Sequence, residues 1–262
     1  MTVTYLYEDD DILVCVKPAG MATESAGLGV TDLVSTIRTH LVRQQRQQMR
    51  RSGTVQTGKR QAQPAQAPYL ALIHRLDQPV EGILVFGKNK AAAAELSRQL
   101  QNHTMQKDYL AVLVGRPEKE CGELTDYLLK DAGSGEVSVV SADTKGAQKA
   151  QLTYKVLASA TRFVQTGEDR QVSLTLVSVH LLTGRFHQIR AQMAHMGTPI
   201  LGDHRFNDVQ MLALAKQCGA EHIALCSCHL QFRHPVKRQL MEYQITPTGA
   251  EFSLAEFGSQ GS

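Results

Sequence analysis

The sequence contains no tryptophan, few other aromatic residues and no long hydrophobic run. Only 5% of its 262 residues are aromatic. No apolar segment approaches the roughly 18 residues that a membrane-spanning helix requires. The opening letters MTVTYLYEDDD show neither the basic-then-apolar order of a signal peptide nor the Arg-rich, acid-poor composition of a transit peptide. We therefore expect no membrane association and a cytoplasmic location.

The five cysteines are odd in number and irregular in spacing, which argues against a disulfide framework. Cys226 and Cys228 stand close to His222 and His229, and this grouping suggests a metal site. No second pair of ligands occurs at metal-site spacing, and an alternating strand with both cysteines on one face explains the grouping more simply. The chain also lacks a Walker loop, a dinucleotide-binding fingerprint and a nucleophile elbow. The sequence thus predicts a site without metal or nucleotide cofactor.

Strand-like segments make up most of the chain, with about three helices between them. The run ILVF predicts a buried strand, and Pro79 and Gly82 predict a turn before it. Helices are predicted after Thr31, which would cap the first one, after Asn89, and in RFHQIRAQMAHMG, which ends at Gly197. There is no βαβ alternation. The pattern therefore predicts an α+β fold built on a large, mostly antiparallel sheet.

Positive charge is unevenly distributed, although the net charge is only +3. Between Leu33 and Leu76 there are eight Arg or Lys residues and no Asp or Glu. The Gln- and Arg-rich part of this block, residues 44–65, has no apolar periodicity and is predicted to be a mobile basic insertion. Its charges fit either a solvated surface or contacts with phosphates, and composition does not separate the two.

Four segments combine polar residues with tight turns: KPAG at 17–20, HRLDQPVEG at 74–82, KDYLAVLVG at 107–115 and TGRFHQIRAQMAHMGTPILGD at 183–203. Taken singly, each also fits a structural role, as a turn, an ion pair, a core tyrosine or a polar surface. Lys107 and Tyr109 share one face of a predicted strand. A helix start that bears Arg and His is a natural anion site, and a guanidinium is a suitable partner for a buried carboxylate. The residues themselves suggest a cofactor-free site centred on Asp77.

In this order, the segments resemble the RluA-type family of RNA pseudouridine synthases. The likeness covers almost the whole chain, through YEDDDILVCVKPAG, HRLDQPVEGILVFGKN, KDYLAVLVGRP, LLTGRFHQIRAQMAHMGTPILGD and IALCSCHLQFRHP. It implies an isomerase that converts uridine in ribosomal or transfer RNA to pseudouridine. It also implies one catalytic domain over residues 1–262, with a mixed sheet flanked by helices around a central cleft and no separate S4 RNA-binding domain. RNA is the expected partner, no cofactor or metal is implied, and the protein is expected to be monomeric.

The resemblance also implies roles for individual residues. Asp77 matches the essential catalytic carboxylate, and Tyr109 matches the tyrosine that stacks on the target base. Arg190 matches the arginine that pairs with that carboxylate. Arg75 matches the arginine that fills the gap left when the nucleotide flips out of its stack, a movement that exposes the sugar-proximal atoms.

Two further residues, Arg185 and His187, are expected to contact RNA, and three positions depart from the family pattern. The family usually has Thr-Ser where this chain has Val80 and Glu81, and Thr where it has Phe186. These changes leave the catalytic residues in place. They mean that substrate contacts of other members do not transfer directly to this chain.

Two other classes of function compete with this interpretation. A non-catalytic RNA-binding or ribosome-assembly protein could keep the fold, although it would have no reason to retain Asp77, Tyr109 and Arg190 together. A base-excising hydrolase would need an additional carboxylate to activate water, for which the motifs offer Glu81. Products from uridine-labelled RNA separate the three classes, since they would be pseudouridine, unchanged RNA or free uracil.

Overall fold

The computed structural model describes residues 1–25, 27, 30–51, 67–166 and 168–253. Within these ranges the chain forms eleven strands and four helices. In chain order they are β1 Thr4–Glu8, β2 Ile12–Lys17, α1 Leu33–Arg51, β3 Ala71–Leu72, β4 Glu81–Gly87, α2 Lys90–Gln101, β5 Gln106–Val114, β6 Cys121–Lys130, β7 Val137–Val140, β8 Gln148–Thr166, β9 Glu168–Leu181, α3 Gln188–His195, α4 Val209–Gln217, β10 Leu225–Arg233 and β11 Leu240–Gln244.

All the described strands belong to one sheet. Its order is β1-β2-β4-β10-β5-β9-β8-β6-β7, with β3 paired to β4 and β11 paired to β10. The pairing of β4 with β10 is parallel, and the other pairs between described strands are antiparallel. The predicted α+β fold with a large, mostly antiparallel mixed sheet is therefore confirmed.

The interior strand β4 is buried on both faces of the sheet. Successive side chains of a strand point to opposite faces. Leu84 and Phe86 pack in a core shared with α1, whereas Ile83 and Val85 pack in a second core shared with α2. All four side chains are fully buried, and each such burial contributes roughly 1.5–3 kcal/mol. The ILVF run thus forms the buried strand that its composition predicts.

The first helix differs from the sequence prediction at both ends. Asp32, not Thr31, caps α1, because the Asp32 carboxylate accepts a hydrogen bond from the Ser35 amide at 2.7 Å. Residues 44–51 are helical and do not form a loop. Gln and Arg have high helix propensity, so the helix continues beyond its buried first half without apolar periodicity. The remainder of the predicted insertion, up to residue 65, lies outside the described residues.

The other helices agree with the sequence prediction except for α4. Asn89 caps α2 by accepting a hydrogen bond from the Ala92 amide at 2.8 Å. Gly197, with φ +84°, follows the end of α3. α4 was not predicted, because only two of its nine residues are buried and its apolar periodicity is weak. None of the described helices is both long enough and apolar enough to cross a bilayer.

Cys226 and Cys228 both lie in β10, as the alternating-strand interpretation predicts, and both thiols are free and buried. In the described part of the chain, ligating atoms that could hold a metal come together only at Asp9, Asp11 and His234. The Asp9 carboxylate already accepts hydrogen bonds there from a lysine ammonium and two backbone amides. This group is therefore accounted for as a network that stabilises the β1–β2 turn.

Candidate active site

Asp77 lies in a tight turn shortly before the interior strand β4. Its carbonyl oxygen accepts a hydrogen bond from the Val80 amide at 3.1 Å, which closes the turn. β4 then pairs in parallel with β10, and Gly82 stands opposite Ser227. A Cβ atom at Gly82 would lie 2.5 Å from the Ser227 Cβ and 2.6 Å from its carbonyl oxygen. Gly82 therefore belongs to β4, not to the turn where the sequence placed it, and it allows the two strands to meet directly after Asp77.

Arg190, on α3, pairs with Asp77 as the resemblance implies. Its Nη1 donates to the Asp77 Oδ2 at 3.0 Å. The rest of the guanidinium is held by Asp203, since Nε donates to Oδ2 at 2.7 Å and Nη2 to Oδ1 at 2.6 Å. Burial disfavours the charge on Arg190, but the hydrogen bonds and charges of the two carboxylates outweigh burial and raise its pKa. One arginine thus bridges two carboxylates, one wholly buried and the other 19% exposed.

Asp203 is the functional neighbour that sequence reasoning missed. It is the last residue of the fourth polar segment, where the sequence reads LGD. Its backbone position depends on the preceding residue, Gly202. Gly202 has φ +76°, and a Cβ atom there would lie 2.5 Å from the His222 carbonyl oxygen. The glycine was a visible signal of a tight turn, but nothing local indicated that the next side chain would turn inward to meet Arg190.

Tyr109 lines the same cavity as Asp77. It projects from β5 opposite Ser227 of β10, and only 6% of its surface is exposed. Burial, reinforced by the charge of Asp77 and opposed by Ser227, raises the pKa of the phenol well above its usual value. The side chain therefore presents a neutral ring beside the carboxylate, as a planar contact for a base would require.

His187 is the N-cap residue of α3 and has the left-handed backbone conformation, with φ 52°. Its Nε2 lies 3.4 Å from the Asp77 Oδ2. Burial lowers the pKa of His187 to about 4, with the Asp77 charge opposing and Arg190 assisting, so the ring is neutral at pH 7. The sequence predicted an anion site at the start of this helix. The anion found there is the Asp77 carboxylate, which is close to His187 and Arg190.

Phe186 occupies one of the positions that depart from the family pattern. Its ring stacks on the His187 ring with centroids 3.7 Å apart, and the Lys130 ammonium lies 4.3 Å from the Phe186 centroid. A ring–ring contact together with a cation–π contact restricts the His187 ring. Phe186, which stands where the family usually has Thr, therefore helps to fix the orientation of the His187 ring beside Asp77.

Arg75 and Arg185 are exposed, and neither makes a hydrogen bond to Asp77. Both line a cavity of about 550 Å³, together with Asp77, Tyr109 and His187. Arg185 donates through Nε to the Lys149 carbonyl oxygen at 3.0 Å, which holds its stem against β8. All six residues that the sequence nominated thus lie around one cavity or contact the carboxylate at its edge.

Solved structures with a similar fold include two human proteins. RNA Pseudouridylate Synthase Domain Containing 4 aligns with a TM-score of 0.66 and 21% identity, covering 97% of this chain and 92% of that chain. RNA Pseudouridylate Synthase Domain Containing 1 aligns with a TM-score of 0.61 and 19% identity, covering 94% and 84%. These likenesses establish the pseudouridine synthase fold.

Sequence relatives agree with the structural ones. The ribosomal large subunit pseudouridine synthase C of Vibrio cholerae is 29% identical over 240 residues, 90% of this chain but only 63% of that protein. The tRNA pseudouridine synthase C of Haemophilus ducreyi is 30% identical over 236 residues, 90% of this chain and 87% of that protein. The chain thus spans less than two thirds of the ribosomal relative. A family model described as RNA pseudouridylate synthase matches residues 11–195, which include Asp77, Tyr109 and Arg190, and the chain belongs to that family.

Proposed function

We propose that this protein is an RNA pseudouridine synthase that isomerises uridine in ribosomal or transfer RNA. One observation carries the proposal: the Asp77 carboxylate lies at the edge of a nucleotide-sized cavity, paired with Arg190 and next to a buried tyrosine ring. A cavity of about 550 Å³ is within the usual range for small-molecule sites.

The reaction rearranges bonds without adding or removing atoms. The bond from uracil N1 to the sugar C1′ breaks, the uracil turns, a bond from C5 to C1′ forms, and the proton on C5 is replaced by one on N1. Asp77 would either attack C1′ or remove a sugar proton, and both routes need the charged carboxylate that Arg190 stabilises. Among the described residues, the Asp77 Oδ1 accepts no hydrogen bond, so we assign this oxygen to the substrate.

The remaining nominated residues fit the handling of a flipped nucleotide. A stacked base hides its sugar-proximal atoms, so the target uridine must leave its stack to reach Asp77. The Tyr109 ring would receive the uracil. Arg75 and Arg185, exposed at the cavity, would contact the RNA around the vacated position.

The hydrolase alternative loses the candidate base that the sequence motifs offer. Glu81, at the start of β4, is buried and accepts hydrogen bonds from the Thr248 amide and hydroxyl, each at 3.1 Å. A carboxylate tied in this way to the C-terminal segment is not free to activate a water molecule. Glu81, which departs from the family pattern, therefore has a structural role, because it anchors the segment around Thr248 to β4.

The decisive experiment is pseudouridine mapping of total RNA from cells with and without this protein. We expect at least one position, in ribosomal or transfer RNA, to lose its pseudouridine, and that position names the substrate class. Purified wild-type protein should restore it, whereas Asp77→Asn protein should not. Restoration by the Asp77→Asn variant would remove Asp77 from the mechanism, and release of free uracil would identify a hydrolase.

A further inference from the structure

Lys107 is a buried lysine that has no anionic partner among the residues that the structure describes. It lies on the same face of β5 as Tyr109, lines the active-site cavity and is 9% exposed. Within the described ranges, no carboxylate lies in ion-pair distance of its ammonium and no acceptor hydrogen-bonds to it. A buried charge normally has a partner, because removing it from water is costly.

Lys17 shows what a satisfied buried lysine looks like in this fold. It is fully buried, and its ammonium donates to three carbonyl oxygens, those of Pro18 at 3.1 Å, Met21 at 2.7 Å and Gln78 at 3.0 Å. Lys107 has no equivalent set. The contrast indicates that the partner of Lys107 is not among the described residues of the chain.

The surroundings of Lys107 are suited to an anion. Arg75 and Arg185 line the same cavity, and the neighbouring His74 is kept neutral, because burial and the Lys107 charge lower its pKa to about 3. Asp77 is the acidic residue of the cavity lining, and it is already paired with Arg190. A ligand that enters this space must therefore supply the negative charge.

We propose that Lys107 binds a phosphodiester group adjoining the uridine whose base lies on Tyr109. Residues two apart on one face of a strand are separated by about 7 Å, which suits the base and a neighbouring phosphate of one nucleotide. A Cβ atom at Gly184 would lie 3.6 Å from the Lys107 ammonium, so the absent side chain leaves space for the phosphate oxygens. This inference rests on the proposed function, since it places an RNA uridine at Tyr109.

The test is a binding cycle between protein and RNA. The probe is a synthetic RNA stem-loop carrying the uridine identified by mapping, with either natural phosphates or an uncharged methylphosphonate on its 5′ or 3′ side. Affinity is measured in an Asp77→Asn background, which prevents turnover. Lys107→Met should weaken binding of the natural RNA roughly tenfold to a hundredfold and reduce the salt slope by about 0.7. Lys107→Arg, which keeps the charge, should recover part of the loss.

The expected signature is non-additivity at one phosphate. For the protein that retains Lys107, the methylphosphonate at that site should lower RNA affinity as much as Lys107→Met does. Combining the methylphosphonate with Lys107→Met should lower the affinity no further. Losses that add fully at both sites would overturn the proposal. So would unchanged affinity with a slower reaction in an otherwise wild-type chain, because that result would assign Lys107 to the detached uracil.

Thermal unfolding separates this role from a structural one. Lys107→Met removes a buried ammonium that has no partner in the described part of the chain, so its Tm should equal or exceed that of the wild type. Lys17→Met is the matched control, and its Tm should fall because three carbonyl groups, one of them buried, lose their donor. A similar fall for Lys107→Met would overturn the proposal. If the wild type forms pseudouridine but Lys107 and the phosphate show no coupling in binding, only the role proposed for Lys107 is rejected. If the wild type forms no pseudouridine, the proposed function itself is rejected.

Discussion

Asp203→Asn is the most informative substitution at the site, because it separates the support of Arg190 from the chemistry of Asp77. The Asp203 carboxylate receives two hydrogen bonds from Arg190 and a third from the Arg205 amide at 3.0 Å, and its side chain is wholly buried. The amide of Asn keeps the volume of the side chain but loses the charge and one acceptor. Arg190 would then be a buried cation with only Asp77 as a counter-charge.

The size of the effect follows from this geometry. Removing one partner of a buried pair costs about 3–5 kcal/mol, and the lower end applies because Asp77 remains. For a chain of this size, a loss of about 3 kcal/mol corresponds to a Tm lower by roughly 6–12 °C. Activity should fall as well, because a guanidinium that has lost the Asp203 charge and one of its three hydrogen bonds holds Asp77 less firmly in one position.

Stability is measured by thermal unfolding, and activity by single-turnover pseudouridine formation on the mapped RNA. Asp208→Asn is the matched control. It removes one negative charge from the exposed N-cap of α4, where Asn caps as well as Asp, so its Tm should barely change. Asp77→Asn should differ from Asp203→Asn in stability, because it should lose activity with little change in Tm. An Asp203→Asn protein with wild-type Tm and rate would refute the assignment of Asp203 as the support of Arg190.

Three further outcomes are expected. Acidification from pH 6.5 to 4 should lower Tm, because burial lowers the pKa of His187 to about 4 and the unfolded chain binds a proton in this range that the folded chain does not. In the His187→Asn variant this decline should be smaller, and Asn tolerates the left-handed backbone at this position. Asp32→Ala should cost about 1 kcal/mol of unfolding free energy through the lost cap of α1, and Thr31→Ala should cost almost nothing, so the reverse order would restore Thr31 as the cap. Chelator treatment should leave the rate on prefolded RNA unchanged, and a loss reversed by a divalent ion acting on the protein would contradict a cofactor-free site.

Local patterns in the sequence were sufficient for much of the fold. The buried strand β4 follows from four consecutive apolar residues, and the start of α2 follows from Asn89, because each depends on residues close together in the chain. The same applies to the shared face of Lys107 and Tyr109, which strand alternation alone dictates. The ordered motifs indicated the family and nominated Asp77 and Arg190, whose contact the structure places at 3.0 Å.

Other features depended on residues that are far apart in the chain. Lys17 and Lys107 look alike in the sequence, yet Lys17 reaches the carbonyl oxygen of Gln78, 61 positions away, and Lys107 faces a cavity. Asp203 meets Arg190 only because the backbone turns at Gly202. Such contacts are decided by how the strands pair and which loops the pairing brings together, and no periodicity within one segment encodes that arrangement. The sequence therefore determined which chemical groups are present, and tertiary packing decided which of the described charged groups are paired with one another.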